Sequence, residues 1–158
     1  MNREIELLLR ILDEAYERQS WHGPNLRGSL RGVTADKAAW RPAPDAHNIW
    51  ELALHAAYWK YAVRRRLRGD KRASFPLKGS NWFPRPETVT ESAWRDDLQL
   101  LKDEHLKLRE AIAGLAPELL DQPAPGGKIK YARLIYGIAA HDIYHAGQIQ
   151  LLKRLAGA

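Results

Sequence analysis

The sequence of 158 residues contains no cysteine. Disulfide bonds, a cysteine nucleophile and thiolate metal ligands are therefore excluded. Any metal site in this chain has to be built from nitrogen or oxygen ligands, and any thiol used in a reaction has to come from outside the chain.

Long apolar runs are absent as well. The first residues, MNREIELLLRILDEAYERQ, carry charges among their apolar positions, which is untypical of a signal peptide or a membrane-spanning helix. No internal repeat and no low-complexity tract is visible. We therefore expect a cytoplasmic protein without a membrane partner, folded as one domain over residues 1–158.

Basic residues outnumber acidic ones, 25 to 19, which gives a net charge of +6. Such a balance favours anionic partners without naming one. One basic run would suit phosphate contacts with nucleic acid. However, it ends a predicted helix, where cations complement the dipole, and no recognition motif accompanies it. We expect a solvated face and no nucleic acid for the run of Arg64, Arg65, Arg66, Arg68, Lys71 and Arg72.

Four segments show apolar residues at the i, i+3, i+4, i+7 spacing of an amphipathic helix. The predicted helices run from Arg3 to Gln19, Asn48 to Gly69, Thr88 or Thr90 to Gly114, and Tyr131 to Leu155. Thr34 is a suitable N-cap for a short helical turn that reaches Trp40. Four such helices without strands predict an all-α fold, a four-helix bundle.

Two connections between these helices stand out. In SWHGPNLRGSLRG, glycines and a proline are expected to break regular structure. The longest connection, DKRASFPLKGSNWFPRPET, carries three prolines and shows no strand pattern. Its Trp82 and Phe83 predict that this segment packs onto the bundle.

A histidine pair marks the last predicted helix. His141 and His145 are four residues apart, so their imidazoles share one helix face, about 6 Å apart along the axis, and can both reach one metal ion. Gln148 follows on the same face. His55 lies in an otherwise apolar surface of the second predicted helix. Because bundles build metal sites from inward side chains of facing helices, His55 is the natural third ligand.

Three neutral imidazoles with an open position are a common arrangement for Zn²⁺, and they also suit Ni²⁺, Co²⁺ or Fe²⁺. A metal so held polarises an oxygen, or acidifies a bound water or thiol. The HExxH signature of zinc proteases is absent, because Asp142 follows His141. The pattern therefore indicates a divalent-metal site and leaves the reaction open between a transferase and a hydrolase-like enzyme, without designating a catalytic residue.

Other polar residues near these segments allow alternative interpretations. Glu51 fits a capping box with Asn48, or else supports a metal ligand from behind. His105 is expected to be a partly buried structural histidine. His22 faces the site if its loop folds over the mouth of the bundle, and otherwise serves only the turn. His47 lies in a loop just before the second predicted helix.

Three strings in the sequence carry a resemblance to a family. HNIWELALHAAYWKYAVRRRLRGD, NWFP and AAHDIYHAGQIQLLKRL, in that order, resemble the DinB superfamily of DinB/YfiT-like metalloenzymes. The segment WHGPNLRGSLRGVTADKAAWRPAPDAHNIWEL resembles one branch of it, so the resemblance covers nearly the whole chain. It implies a four-helix bundle in which His55, His141 and His145 bind a divalent metal, and it suggests homodimers.

The resemblance also bears on activity. Some relatives are similar to thiol S-transferases or isomerases that use bacillithiol, mycothiol or glutathione, and many members have no known reaction. We expect a metal-dependent transferase that takes a low-molecular-weight thiol and a small-molecule substrate, with Arg41 or Lys60 near an anionic thiol. The alternative is a non-catalytic metal-binding or stress-response bundle. An aromatic wall for the electrophile is expected from Trp21, Tyr58, Trp59 or Tyr144.

Overall fold

The computed structural model describes residues 2–71 and 75–157. Within these ranges the fold is helical and contains no strand, which confirms the predicted all-α helix bundle. The four long helices contact one another as a bundle, in which α4 packs against α5 and α6, and α1 packs against the same two helices. The helices are α1 Arg3–Tyr16, α2 Leu26–Leu30, α3 Ala35–Ala39, α4 Ile49–Arg68, α5 Glu91–Ala113 and α6 Tyr131–Leu155, with a 3₁₀ turn at Pro117–Leu119.

Side-chain caps explain where the long helices begin. The side-chain oxygen of Asn48 accepts the amide of Glu51 at 2.8 Å, and the hydroxyl of Thr90 accepts the amide of Ala93 at 3.1 Å. At the other end, α4 stops at Gly69, whose φ of 70° lies in the left-handed region that glycine adopts without strain. These caps place α4 and α5 where the sequence predicts them.

The first connection differs from its prediction, because residues Leu26–Leu30 form the short helix α2. Asn25 caps it by accepting the amide of Gly28 at 2.8 Å, and its side-chain NH₂ donates to the carbonyl of Arg18 at 2.7 Å. A side chain at Gly28 would place its Cβ 2.9 Å from the Asn25 oxygen, so this glycine allows the cap rather than breaking the helix. Leu26 and Leu30 are buried, and tertiary burial therefore outweighs weak local propensity.

Buried apolar side chains hold the bundle together in two clusters. One lies around α1, α5 and α6 and includes Leu12, Ile112 and Ile135. The other surrounds Trp50 and Trp94, and it receives Phe83 from the long connection between α4 and α5. Each such buried side chain stabilises the fold by roughly 1.5–3 kcal/mol relative to exposure.

The long connection therefore packs onto the bundle as predicted, with Phe83 buried and Trp82 partly buried against the same cluster. Arg72, the last member of the predicted basic run, lies outside the described residues. No described helix combines the length and the apolar character needed to cross a membrane.

Candidate metal centre

The three predicted histidines converge across the interface between α4 and α6. The Nε2 atom of His141 lies 3.1 Å from that of His55 and 3.1 Å from that of His145. One ring nitrogen from each residue lies within 4.8 Å of the others, and these three side chains form a group that could hold a metal ion. A pair four residues apart on α6 and a single residue on α4 are thus brought to one point.

The outward nitrogens of two imidazoles are fixed by hydrogen bonds. The Nδ1–H of His55 donates to the backbone carbonyl of Asn81 at 2.8 Å, and the Nδ1–H of His145 donates to the side-chain oxygen of Gln148 at 2.6 Å. A neutral imidazole protonated at Nδ1 presents a lone pair at Nε2. Both lone pairs therefore point toward His141. Such outer hydrogen bonds orient histidine ligands in metal sites, which gives Gln148 a role.

The polar atoms around His141 test whether a metal fits. Its Nδ1 is buried without a hydrogen-bond partner, and its Nε2 faces two lone pairs that a single imidazole proton cannot both satisfy well. A cation between the three Nε2 atoms accepts a lone pair from each of these three atoms. Nitrogens bound tetrahedrally about 2.1 Å from Zn²⁺ lie about 3.4 Å apart, so the observed 3.1 Å contacts need only a small adjustment. The donor set fits a divalent ion.

Burial keeps the three imidazoles neutral. Loss of hydration lowers the pKa of His55 to about 4 and that of His141 to about 3, and the nearby His145 adds to both shifts. Burial also lowers the pKa of His145, against the hydrogen bond to Gln148. Metal binding requires deprotonated imidazole, so all three are in the ligating form at neutral pH.

A comparison with protein families decides the relationship of this chain. The model of the DinB superfamily matches residues 19–149. The chain belongs to the DinB superfamily. Neither a curated protein nor a solved structure matches it. The match spans α2 to most of α6 and thus includes every residue of this DinB histidine centre.

A stacked tryptophan, not predicted as part of the site, supports the centre of this DinB protein. The Trp82 ring lies between two imidazoles, with centroids 3.9 Å from His55 at 11° and 3.6 Å from His47 at 5°. The stack covers one face of His55, while Asn81 holds its edge. The string NWFP, which contains Trp82 and is part of the family resemblance, was the sequence signal that could have placed Trp82 at the site.

Glu51 acts on the far end of this stack. Its carboxylate accepts two hydrogen bonds from Arg41, at 2.6 and 2.9 Å, and one from His47 at 3.0 Å. Burial raises the pKa of Glu51, but these bonds and one from the backbone amide of Arg85 outweigh it and lower the pKa to about 2. The predicted capping box is thus half formed, because Asn48 caps α4 whereas the Glu51 carboxylate fixes His47 and Arg41.

The solvent-facing side of the centre is at His141, and we call this side the opening. His55 and His145 are buried, whereas His141 is partly exposed. The ring of Trp59, 38% exposed, lies 6.3 Å from the rings of both His55 and His141. The ring of Tyr144, 65% exposed, lies 5.1 Å from His145. These two aromatic residues of the predicted wall flank the opening.

The other two aromatic residues of the predicted wall lie elsewhere. Trp21 is 99% exposed in the connection before α2. Tyr58 points its ring toward Phe75 and Phe83, at centroid distances of 5.4 and 5.7 Å, and contacts none of the three histidines. Tyr58 lies on α4 three residues after His55, so its position around the helix turns it toward the long connection instead.

The predicted cations near the opening are engaged in other contacts. Lys60 is fully buried and pairs with the carboxylate of Asp142, so the prediction that it reaches an anionic thiol is wrong. Arg41 is held by Glu51. The basic run is also partly paired, since Arg64 donates to the buried Glu104 at 3.0 Å.

The remaining histidines do not join the centre. His105 is fully rather than partly buried, stacks on Tyr16 with centroids 3.9 Å apart, and lies 3.4 Å from the Lys60 amine. Its structural role is therefore the one predicted. His22 is exposed in the turn before α2 and is not a member of the metal-competent group.

Proposed function

We propose that His55, His141 and His145 bind one divalent metal ion through their Nε2 atoms, and that this DinB protein is a metal-dependent transferase for a low-molecular-weight thiol. The observation that carries this proposal is the convergence of three neutral Nε2 atoms beside a partly exposed opening. Zn²⁺, Ni²⁺, Co²⁺ and Fe²⁺ all suit imidazole ligands. When bound, such an ion supplies a Lewis acid that lowers the pKa of a thiol or a water.

The composition of the three-histidine group favours a thiol over water as the nucleophile. No described carboxylate joins the group, so the group itself supplies no general base for an attacking water. A thiol, with an ordinary pKa near 8.5, needs less activation than water does. Because the chain has no cysteine, the thiol is a separate molecule.

The protein residues orient and enclose the reactants in this proposal. Asn81 and Gln148 hold two imidazoles by their outer nitrogens, and Trp82 covers one face of His55. Trp59 and Tyr144 offer apolar faces to an electrophile at the opening. Glutathione and similar thiols occupy the reducing cytosol, so we place the reaction in the cytoplasm.

A thiol-conjugation assay tests the proposal. Metal-loaded protein is mixed with an aromatic electrophile and, separately, bacillithiol, mycothiol, glutathione or coenzyme A. We expect conjugation above the uncatalysed rate with at least one thiol, its loss in His141→Ala, and its retention in the exposed-histidine control His22→Ala. If metal is stoichiometric but no thiol gives metal-dependent turnover, a non-catalytic metal-binding or stress-response role becomes the better conclusion.

We further propose that the protein is a homodimer. Large apolar side chains remain exposed along one stripe of α6, and two more are exposed on the adjacent α1. A twofold axis would bury the same stripe on both copies. Light scattering at micromolar concentration should give twice the chain mass, and Leu151→Glu should shift it to one chain; a monomer mass for the wild type rejects the dimer. The exposed residues are Tyr136, Ile143, Leu151 and Leu155 on α6, and Leu7 and Ile11 on α1.

A further inference from the structure

A cavity lies apart from the histidine centre, between the end of α1, the helix α2 and the first half of α5. Its volume is about 1040 Å³, at the upper end of the roughly 300–1,000 Å³ of small-molecule sites. None of its lining residues belongs to the histidine centre or to the Trp82 stack. It therefore needs an explanation of its own.

The floor of this cavity is apolar. Tyr16, Leu30 and Leu101 are buried beneath it, and Leu98 on α5 is partly exposed into it. A ligand that covers the exposed part of Leu98 removes apolar surface from water. The floor thus suits an apolar body rather than a fully hydrated ion.

The rim is strongly basic. Five cationic side chains and one carboxylate line the cavity. Arg27 pairs with that carboxylate, Glu17, at 2.6 Å, and Arg18 lies 3.6 Å from Asp13. The other three cations have no ion-pair partner among residues 2–71 and 75–157, which leaves a positive surplus at the rim. These three are Arg31, Arg95 and Lys102.

An exposed tryptophan lies in the turn that borders the cavity. Trp21 lies between Ser20 and Gly23, which both line the cavity, and the turn is closed by the hydroxyl of Ser20 donating to the carbonyl of Gly23 at 2.6 Å. The indole is 99% exposed, which is unusual for so large an apolar group.

We propose that this cavity binds a small anionic molecule with an apolar body, of the class of aliphatic carboxylates. The anionic head lies at the rim among Arg31, Arg95 and Lys102, and the body lies over Leu98. The concave shape favours a single small molecule over an anionic membrane, which would require a flat or convex basic face. The site is independent of the metal and of the proposed transferase activity.

Fluorescence titration of the tag-free, full-length, metal-loaded protein with anilinonaphthalene sulfonate tests this site, with dodecanoate as the competitor. We expect one saturable probe site per chain, displacement by dodecanoate, and weaker binding at high salt. Arg95→Gln/Lys102→Gln should weaken both ligands by about tenfold or more. Arg133→Gln, which removes an exposed cation on α6 outside the cavity, should leave binding unchanged. Helical circular dichroism and metal content verify the fold of each variant.

Three results would overturn the proposal. Unchanged affinity in Arg95→Gln/Lys102→Gln means that the rim does not bind the head group. Dodecanol displacing the probe as well as dodecanoate means that the charge is irrelevant. Binding to vesicles that contain phosphatidylglycerol, without saturable binding of the soluble ligands, assigns the basic rim and Trp21 to a membrane surface instead.

Discussion

Two polar clusters lie between the same pair of helices, α4 and α6, and they differ in charge and in exposure to solvent. In one, His55 on α4 meets His141 and His145 on α6, with three ring nitrogens facing one another beside an opening. In the other, Lys60, five residues after His55 on α4, pairs with Asp142, the residue after His141 on α6, and both side chains are fully buried. The second cluster is closed by His105 and Tyr16.

The difference shows what distinguishes a candidate site from structural polarity. Burial lowers the pKa of His105 to about 2, with help from Lys60, which is further than the about 4 of His55. A strongly shifted pKa therefore does not by itself identify the site. In the Lys60 cluster an amine and a carboxylate pair with each other, whereas the histidine centre turns three ring nitrogens toward one another.

Removal of a histidine from the centre should have the largest effect in this comparison. His55→Ala, His141→Ala and His145→Ala should each lose stoichiometric metal, because loss of even an outer hydrogen-bond partner typically costs 10–100-fold in affinity. Elemental analysis after dialysis measures this, with His22→Ala as the control that retains metal. A variant among the three that keeps wild-type affinity identifies a residue that is not a ligand.

Changes to the Lys60–Asp142 pair should alter the free energy of unfolding rather than metal binding. Lys60→Met leaves the buried Asp142 without its partner, and we expect a loss of about 3–5 kcal/mol in the free energy of unfolding, measured in urea. Lys60→Met/Asp142→Leu removes both charges and should regain most of that loss. If the single and double variants are equally destabilised, the pair does not act through its charges.

Acid should protonate Glu51 and so weaken its hydrogen bonds with Arg41 and His47. Its pKa is about 2 in the folded protein against an ordinary 4.5. Its contribution is therefore fully present above about pH 4.5 and is lost as the pH falls toward 2, up to about 3 kcal/mol at about 1.4 kcal/mol per pKa unit.

Unfolding curves at several pH values should show the wild type and Glu51→Gln converging over this window. Glu110→Gln, at an exposed carboxylate of α5, should parallel the wild type throughout. A constant difference between wild type and Glu51→Gln from pH 7 to pH 2.5 would show that the lowered pKa does not contribute to stability.

The smallest expected effect concerns the outer hydrogen bond of His145. Gln148→Ala removes the oxygen that accepts its Nδ1–H, so the imidazole loses its fixed orientation. We expect metal affinity to fall by about 10–100-fold with the fold retained. Competition with a metal chelator measures this, and Gln150→Ala on the same helix is the matched control. Equal affinities of the two variants would rule out the positioning role.

The long helices and the three histidines could be predicted because their signals are local. Helical periodicity, the caps Asn48 and Thr90, and the spacing of four between His141 and His145 each follow from a few neighbouring residues. Placing His55 opposite that pair needed only two facing helices. The local signals thus sufficed for the architecture and for the convergence of the three histidines.

The remaining features depend on contacts between distant segments. Lys60 looks like an ordinary surface lysine until Asp142 is placed against it, and Trp82 reaches His55 only through the fold of a long connection. The helix Leu26–Leu30 exists because its leucines are buried. No window of neighbouring residues contains these partners, so propensity and periodicity could not predict them.

Asn81 makes the histidine centre asymmetric, because it holds His55 from the connection between α4 and α5. It has a φ of 67°, a backbone conformation that asparagine tolerates better than most residues. Its carbonyl accepts from His55, and its side chain accepts from the indole N–H of Trp59 at 2.9 Å. His145, by contrast, is oriented from within its own helix by Gln148. A change in the connection between α4 and α5 can therefore reorient His55 and Trp59 while the bundle and the other two histidines stay unchanged.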